Sequence, residues 1–400
     1  MKKRVIAVII AAMVVLAGCG SEGEGGSPLQ TIEPVAVDTP EPTVEPGGEL
    51  PGDDSQGDEF PGDDSQGGEN AEEPTQEPDE PREGMYRSEL TNEWIDESLK
   101  NQRPIAVMVD NEKTALPHYG LTEADVVYEM MNSTLNGRIT RFMAVVKDWG
   151  AIEQFGSIRS TRSTNIYLVG EWNAVLCHDG GPYYVMGNNT GYVGLIKEKA
   201  YCENFSGTFG RVKNGKPREY TEYILSGDLD KNFDSKKYSR EYNEHYPGPH
   251  FTFSDTEIDL ADGAGSFDCT KIELPFTHNS STLEYNEATG TYDYYEYHQA
   301  HLDPQHGNAQ LTFKNLLIQS CSFVKLDENG YMVYNVIDNS GNSGYYITNG
   351  KAIKVTWYKA SDTAPTKFYD NSTGEEIKLN TGKTYIAIVP SDSWNDIEMQ

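Results

Sequence analysis

The sequence predicts an α+β protein: an N-terminal α/β layered domain followed by a mostly antiparallel, β-rich C-terminal domain. Three observations carry that reading. From Arg103 to about Gly227, apolar strand-like runs alternate with helix-like segments, as in layered α/β units. From Phe251 onward the runs are short and are separated by Asn, Gly and Asp turns, as in antiparallel sheet. Roughly 300 residues follow Gly84, more than one typical domain holds and suited to two. The expected segments are 1–19, a signal peptide; 20–84, an acidic spacer; 85–250, the α/β domain; and 251–400, the β-rich domain.

The first twenty residues read as a targeting segment. Lys2, Lys3 and Arg4 precede an apolar run that is shorter than the roughly twenty residues a spanning helix requires. The run ends in Leu16-Ala17-Gly18-Cys19, which closely resembles the bacterial lipobox. On that pattern Cys19 becomes the first mature residue and carries acyl chains, palmitate among them. The expected location is the extracytoplasmic face of the cell membrane, with the N-terminal lipid anchor as the membrane partner.

Composition changes abruptly over 20–83, where Gly, Pro, Glu, Asp, Ser and Gln dominate. Pro-Gly-Asp-Asp-Ser-Gln-Gly occurs twice, beginning at Pro51 and at Pro61. Such a segment holds too little apolar surface to offset its ordering entropy and reads as a disordered spacer. About twenty acidic residues face one basic residue there, so more than half of the net charge of −31 belongs to the spacer. The charge therefore says little about what the folded part binds. The paired aspartates lack the ligand spacing of a calcium loop.

Residues 85–101 show apolar side chains at roughly helical spacing, at Leu90, Trp94, Ile95 and Leu99, and predict a helix. Residues 105–109 are a near-continuous apolar strand, the kind buried on both faces. Thr122 and Asp125 stand as in a capping box, but 126–131 reads equally well as a strand. Residues 139–146 are β-branched and aromatic, hence a strand. Residues 161–169 suggest a helix, and the run around Leu176 a further strand. The glycine- and tyrosine-rich stretch 187–209 is placed to close over a site, a helix or turn is expected near 219–225, and 228–250 is polar and turn-rich. Beyond Phe251, strands are expected near 251–253, 272–276, 291–297, 311–319, 332–337, 344–348, 351–358 and 384–389. Glu328-Asn329-Gly330 and Thr348-Asn349-Gly350 are hairpin signals.

The candidate site lies in 137–162. Arg138 and Arg141 stand near the start of one strand, and Arg159 and Arg162 follow a loop with Ser157, Ser160 and Thr161 between and before them. Guanidinium forks match carboxylate and phosphate oxygens, and hydroxyls complete such sites. Downstream, His178-Asp179-Gly180-Gly181 ends a short apolar run, where α/β sheets place their ligands. The candidate ligand-binding residues are Arg141, Arg159, Ser160, Arg162, His178 and Asp179. The alternative is structural ion pairing, with Asp125 and Glu129 close enough in sequence to take two arginines.

Other chemistry is less well marked. Ser160 and Ser163 with His178 and Asp179 lack the Gly-x-Ser-x-Gly elbow of a hydrolase. His298, His301, Asp303 and His306 form a histidine-rich tract, and His245 and His250 a pair. No HExxH or paired CxxC appears, and no metal ligand or cofactor is assigned. Cys177, Cys202, Cys269 and Cys321 permit two disulfides in an exported protein, with Cys177–Cys202 and Cys269–Cys321 the pairings to test. Buried free thiols are the alternative.

The chain resembles the YerB-like bacterial lipoproteins, a two-domain family of unknown function. Arg103-Pro104-Ile105-Ala106-Val107-Met108-Val109-Asp110-Asn111, the run from Gly120 to Glu129, Ile139-Thr140-Arg141-Phe142, Gly156 through Arg162 and His178-Asp179-Gly180-Gly181 carry the resemblance. Trp357-Tyr358-Lys359 and Gly382-Lys383-Thr384-Tyr385 extend it. Ser157 stands where the pattern has Pro, and Tyr385 where it has Trp. The resemblance implies a membrane-tethered envelope protein in two domains and supplies no reaction.

The leading expectation is therefore an envelope lipoprotein whose head binds an anionic, phosphate- or carboxylate-bearing cell-wall component. An enzyme of phosphotransfer or hydrolysis at the same arginines is one alternative, with Asp110, Asp125 or Asp179 as base or Mg²⁺ ligand. A scaffold offering the β-rich domain to a protein partner is another. Nucleic acid is not an expected partner, because the arginines are too few to track a phosphate backbone.

Overall fold

The structure, a computed structural model, describes residues 80–400, with only the backbone of Asp262. The signal segment, Cys19 and nearly all of the acidic spacer lie outside the described residues. None of the described helices is long and apolar enough to cross a membrane.

The fold is α+β and is organised on one mixed sheet of eleven strands. The first half of the chain supplies β1 (Ile105–Asp110), β2 (Val126–Met131), β3 (Thr140–Val146), β4 (Val175–His178) and β5 (Asn204–Ser206). The second half supplies β6 (Phe267–Asp268), β7 (Asn315–Cys321), β8 (Asn342–Thr348), β9 (Lys351–Tyr358), β10 (Lys367–Asp370) and β11 (Thr384–Pro390). Their order across the sheet is β6-β9-β8-β7-β11-β2-β3-β1-β4-β5, with β10 pairing β9. The late strand β11 lies between β7 and β2, parallel to both. β3 runs antiparallel to its neighbours β1 and β2.

Every residue of β1, β2, β3 and β11 is buried. Successive side chains of a strand point to opposite faces, so these mostly apolar runs fill two cores. Ile105, Val107 and Val109 join one core with Phe155, Ile158 and Phe205. Ala106 and Met108 join the other with Ile166 and Leu168 of helix α1 (Ser163–Val169) and with Trp172. An antiparallel meander of Lys271–Glu273, Thr282–Asn286 and Thr291–Glu296 supplies Ile272, Leu283 and Tyr294 to the first core.

Three local expectations are corrected. Residues 85–101 form a hairpin of Met85–Arg87 with Trp94–Asp96, followed by one 3₁₀ turn. Asn92, at φ 58°, sits in its connection, and the Asn92 N–H donates to the Ser88 carbonyl at 2.7 Å. Asn tolerates the left-handed region, so turn chemistry outweighs a helical spacing of four apolar residues. Residues 228–250 contain a helix, α2 (Asp228–Lys236), on which Leu229 and Phe233, four apart, are buried. That stripe is too narrow to stand out in a polar sequence. The expected strand at 251–253 is reduced to a single bridge, Phe253 with Leu379.

Of the two readings of the cysteines, the free-thiol one holds: Cys177, Cys202, Cys269 and Cys321 are all free and buried. Burial pushes the Cys202, Cys269 and Cys321 thiols up to about 12. The thiolate is the reactive form, so the folded protein is expected to react with Ellman's reagent at these four only as it unfolds. Dithiothreitol should leave its thermal midpoint unchanged; a midpoint lowered by the reductant would contradict the free thiols.

Candidate functional site

The arginines converge because of sheet register. β1 and β3 are antiparallel, and Asp110, the last residue of β1, lies directly opposite Arg141 near the start of β3. Directly opposed residues on adjacent strands bring their side chains together. The chain then returns along β1: Ile158 bridges Val109, and the Arg159 N–H donates to the Met108 carbonyl at 2.8 Å. Arg162 follows at the foot of α1, its backbone N–H donating to Asn165 Oδ1 at 2.8 Å.

Arg141, Arg159 and Arg162 line one cavity of about 370 Å³, together with Asp110, Asn132, Tyr220 and Tyr331. Its cover is the turn at 328–331, the expected hairpin signal. Gly330 there has φ +74°, and a Cβ would meet Ser133 Oγ and Thr134 Oγ1 within 2.8 Å. The left-handed backbone and the close approach both require glycine at that position. None of the lining residues comes from 187–209, so that stretch does not close the site.

The charges in the cavity are unevenly paired. Arg159 Nε lies 2.6 Å from Asp110 Oδ2, and its other end pairs with Glu219. Arg141 donates to the Ser160 carbonyl at 2.8 Å and stands 3.6 Å from the same Asp110 oxygen. Arg162 donates to the Thr161 carbonyl at 2.9 Å and stacks its guanidinium 4.0 Å from the centre of the Tyr331 ring. Among the described residues no carboxylate forms an ion pair with Arg162. The two other acids on the lining form no ion pair with these arginines: Glu112 lies 3.3 Å from His278, and Glu328 is fully exposed. Arg141 and Arg162 are 6% and 8% exposed, which makes an unbalanced charge costly. Burial pushes the Arg141 guanidinium down to about 9, with Asp110 opposing and the Arg162 and Arg159 charges adding to it. For Arg159 burial also acts downward, but Asp110 and Glu219 outweigh it and raise the group.

The other predicted residues stand apart from the cavity. Ser160 contributes its backbone carbonyl to Arg141, and its hydroxyl is not on the lining. His178 is buried, with Nδ1 2.8 Å from the Gly180 carbonyl and Nε2 3.4 Å from Asn204. Asp179 pairs with Arg211 at 2.7 Å, sharing that guanidinium with Glu222. The His178–Gly181 turn instead braces the loop, through Asp179 N–H to the Arg159 carbonyl and Thr161 N–H to the Gly180 carbonyl, each 3.0 Å. Arg138 is not in the cavity; it forms a two-pronged pair with Asp392, both bonds 2.7 Å.

Asp125 and Glu129 do not take arginines, contrary to the structural alternative. Asp125 accepts from the Lys147 N–H at 2.7 Å. Glu129 is held by hydroxyls and an amide. The pairing acid is Asp110, which ends an apolar run just as Arg141 begins one. Sequence alone does not reveal that those two ends are antiparallel neighbours. Nor does it reveal Tyr220 and Tyr331, which arrive from distant turns. A larger cavity, about 660 Å³ around Tyr358 and Tyr369, gathers no set of like charges, and its volume alone assigns it no chemistry.

Fold and cavity define the class first: an α+β protein with one mixed sheet, a meander over one face and an arginine-lined cavity at the strand ends. The sequence matches both halves of one family, "Protein of unknown function (DUF3048) N-terminal domain" over 90–239 and its C-terminal domain over 272–386. The chain belongs to that two-domain, YerB-like family. It is 24% identical over 309 residues to "Putative lipoprotein YerB" of Bacillus subtilis (strain 168), covering 76% of this chain and 86% of that protein. The crystal structure of the B. subtilis YerB protein shares its fold, with a TM-score of 0.63 at 20% identity, covering 79% of this chain and 99% of that one.

Proposed function

We propose that this protein is a lipid-anchored envelope protein whose arginine cavity holds an anionic group of a cell-wall component, phosphate- or carboxylate-bearing. The anchor is supported by Leu16-Ala17-Gly18-Cys19 and by the name of the B. subtilis relative. The acidic spacer then carries the folded head away from the membrane on its extracytoplasmic side.

The observation that carries the binding reading is the charge imbalance. Three guanidiniums line one cavity, Asp110 neutralises one of them, Glu219 faces Arg159 from a half-exposed position, and Arg162 has an aromatic face in place of an acid. An anion supplies the missing charge and meets donors preorganised by packing. A volume of about 370 Å³ suits a small group such as a phosphorylated sugar unit.

The test is calorimetric titration of purified wall polymers and of inorganic pyrophosphate into wild type and the Arg159→Ala/Arg162→Ala variant. Each charge-assisted contact is worth roughly 1.5–3 kcal/mol, so the double variant is expected to bind roughly 100-fold more weakly or not at all. Affinity unchanged in the variant would overturn the reading.

A further inference from the structure

A second cluster lies outside the arginine cavity, and the proposed function does not use it. His118 follows β1 in a loop, Glu296 ends the Thr291–Glu296 strand, and His301 comes five residues later. The three are 0%, 1% and 3% exposed. One ligand-type atom from each lies within 4.8 Å of those of the other two. Of the histidine-rich tract noted in the sequence, only His301 takes part. His298 is exposed, His306 pairs with Glu123, and Asp303 accepts from Gly120 and Thr122.

The hydrogen bonds of the cluster fix which atoms remain. His118 Nε2 is 2.6 Å from the Asp110 carbonyl. A carbonyl only accepts, so Nε2 carries the hydrogen and Nδ1 is left as a lone pair. His301 Nδ1 is 2.7 Å from Glu296 Oε1, so two atoms of metal-ligand type already meet there. His118 Nδ1, His301 Nε2 and Glu296 Oε2 have no hydrogen-bond partner. Buried polar atoms are satisfied in more than about 90% of cases, so unpartnered atoms on all three residues of one buried cluster point to a ligand.

We infer that His118, Glu296 and His301 bind a divalent transition-metal ion of the zinc class. Imidazole nitrogen and carboxylate oxygen are the donors such ions take, and three protein ligands leave a fourth position open. In a tetrahedral site with bonds of about 2.1 Å, ligand atoms stand about 3.4 Å apart. The observed spacing closes to that by small side-chain movements. One outer partner is in place: the Asp110 carbonyl orients His118, as around metal-bound histidines generally. Phe142 faces both rings edge-on at 5.9 and 6.3 Å and keeps the inner side dry. A cavity of about 350 Å³ lined by Glu296, His301, Pro117 and Leu302 provides a route in.

The test uses the full chain stripped with EDTA. Zn²⁺ is titrated in competition with a chromophoric chelator, and Co²⁺ binding is followed by visible absorption. One Zn²⁺ per chain and the intense bands of four-coordinate Co²⁺ are expected. His118→Ala and His301→Ala should each weaken Zn²⁺ binding roughly 100-fold or more and abolish the bands, with the exposed His298→Ala leaving both intact. Should the histidine variants misfold by circular dichroism, the milder Glu296→Gln decides: Zn²⁺ should raise the thermal midpoint of wild type and not of this variant. Only weak, multi-site uptake without those bands in wild type would overturn the assignment. So would bands that persist in the histidine variants, or an equal midpoint rise in Glu296→Gln.

Discussion

Glu171→Ala is expected to destabilise the protein by about 3–5 kcal/mol, the range for removing one partner of a buried ion pair. Glu171 and Lys359 are both fully buried, 3.2 Å apart. Glu171 also lies 2.5 Å from His250 Nε2 and accepts the Thr366 N–H at 2.9 Å and the Thr366 hydroxyl at 3.2 Å. Without it, the Lys359 ammonium keeps only the carbonyls of Asp362 and Ala364. Burial alone would raise the Glu171 carboxyl, but Lys359, His250 and Thr366 outweigh burial and hold it at about 2. The folded value thus lies below the ordinary 4.5. Its contribution is present above about pH 4.5 and is lost as pH falls toward 2, about 3 kcal/mol in all. His250, lowered by burial, also resists protonation in the folded state, so its loss runs in the same acid direction. Urea unfolding of wild type and Glu171→Gln from pH 7 to pH 2 checks this. The gap between the two should narrow below pH 4.5; a constant gap would contradict the assignment.

Glu129→Ala should cost a similar amount, about 3–5 kcal/mol, for a different reason. This carboxylate receives the Thr140 hydroxyl at 2.6 Å, Ser281 at 2.7 Å, Tyr294 at 2.9 Å and Asn111 Nδ2 at 3.2 Å, besides the Tyr385 hydroxyl. Thr140, Asn111 and Tyr385 belong to the central sheet or its ends, and Ser281 and Tyr294 to the meander above it. The residue therefore fastens the two sheets together in the middle of an apolar core. Tyr385 has Glu129 as its hydroxyl partner, and each buried donor stranded by the alanine costs roughly 1–3 kcal/mol. In a chain of this size the loss should appear as a thermal midpoint lower by about 5–10 °C. A drop of less than about 2 °C would mean the hydroxyls find other partners. The Trp expected at position 385 from the family pattern is likewise a donor at its ring nitrogen, so either residue can serve Glu129.

The strands were legible because their residues are mostly apolar, β-branched or aromatic. Residues 105–109 read as a strand covered on both faces, and 351–358 alternates as a strand with one face outward. Turn residues placed the hairpins at Gly330 and Gly350 for the same local reason. What stayed hidden depends on which strand lies beside which. The convergence of Arg141, Arg159 and Arg162 could be suspected from their clustering, but their acid could not. Asp110 is thirty-one positions from Arg141 and meets it only through antiparallel register. The same limit kept His118 apart from His301: neither spacing nor motif links residues brought together by two sheets packing face to face. His178 and Asp179 stand at a strand end as their sequence position implies, but outside the arginine cavity, where their turn braces the Arg159–Thr161 segment through backbone hydrogen bonds.

The position of β11 has a consequence for how the polypeptide matures. A segment made late, Thr384–Pro390, fills a slot in the middle of the sheet, between β7 and β2. Until it arrives, β2 presents an open hydrogen-bonding edge of six buried-type residues, the kind of edge that recruits other chains. Pairings this distant in sequence also form slowly. The nascent protein therefore passes through a long interval in which its largest apolar surface is unfinished, and a chain lacking the segment should accumulate as aggregate rather than as a shorter folded form.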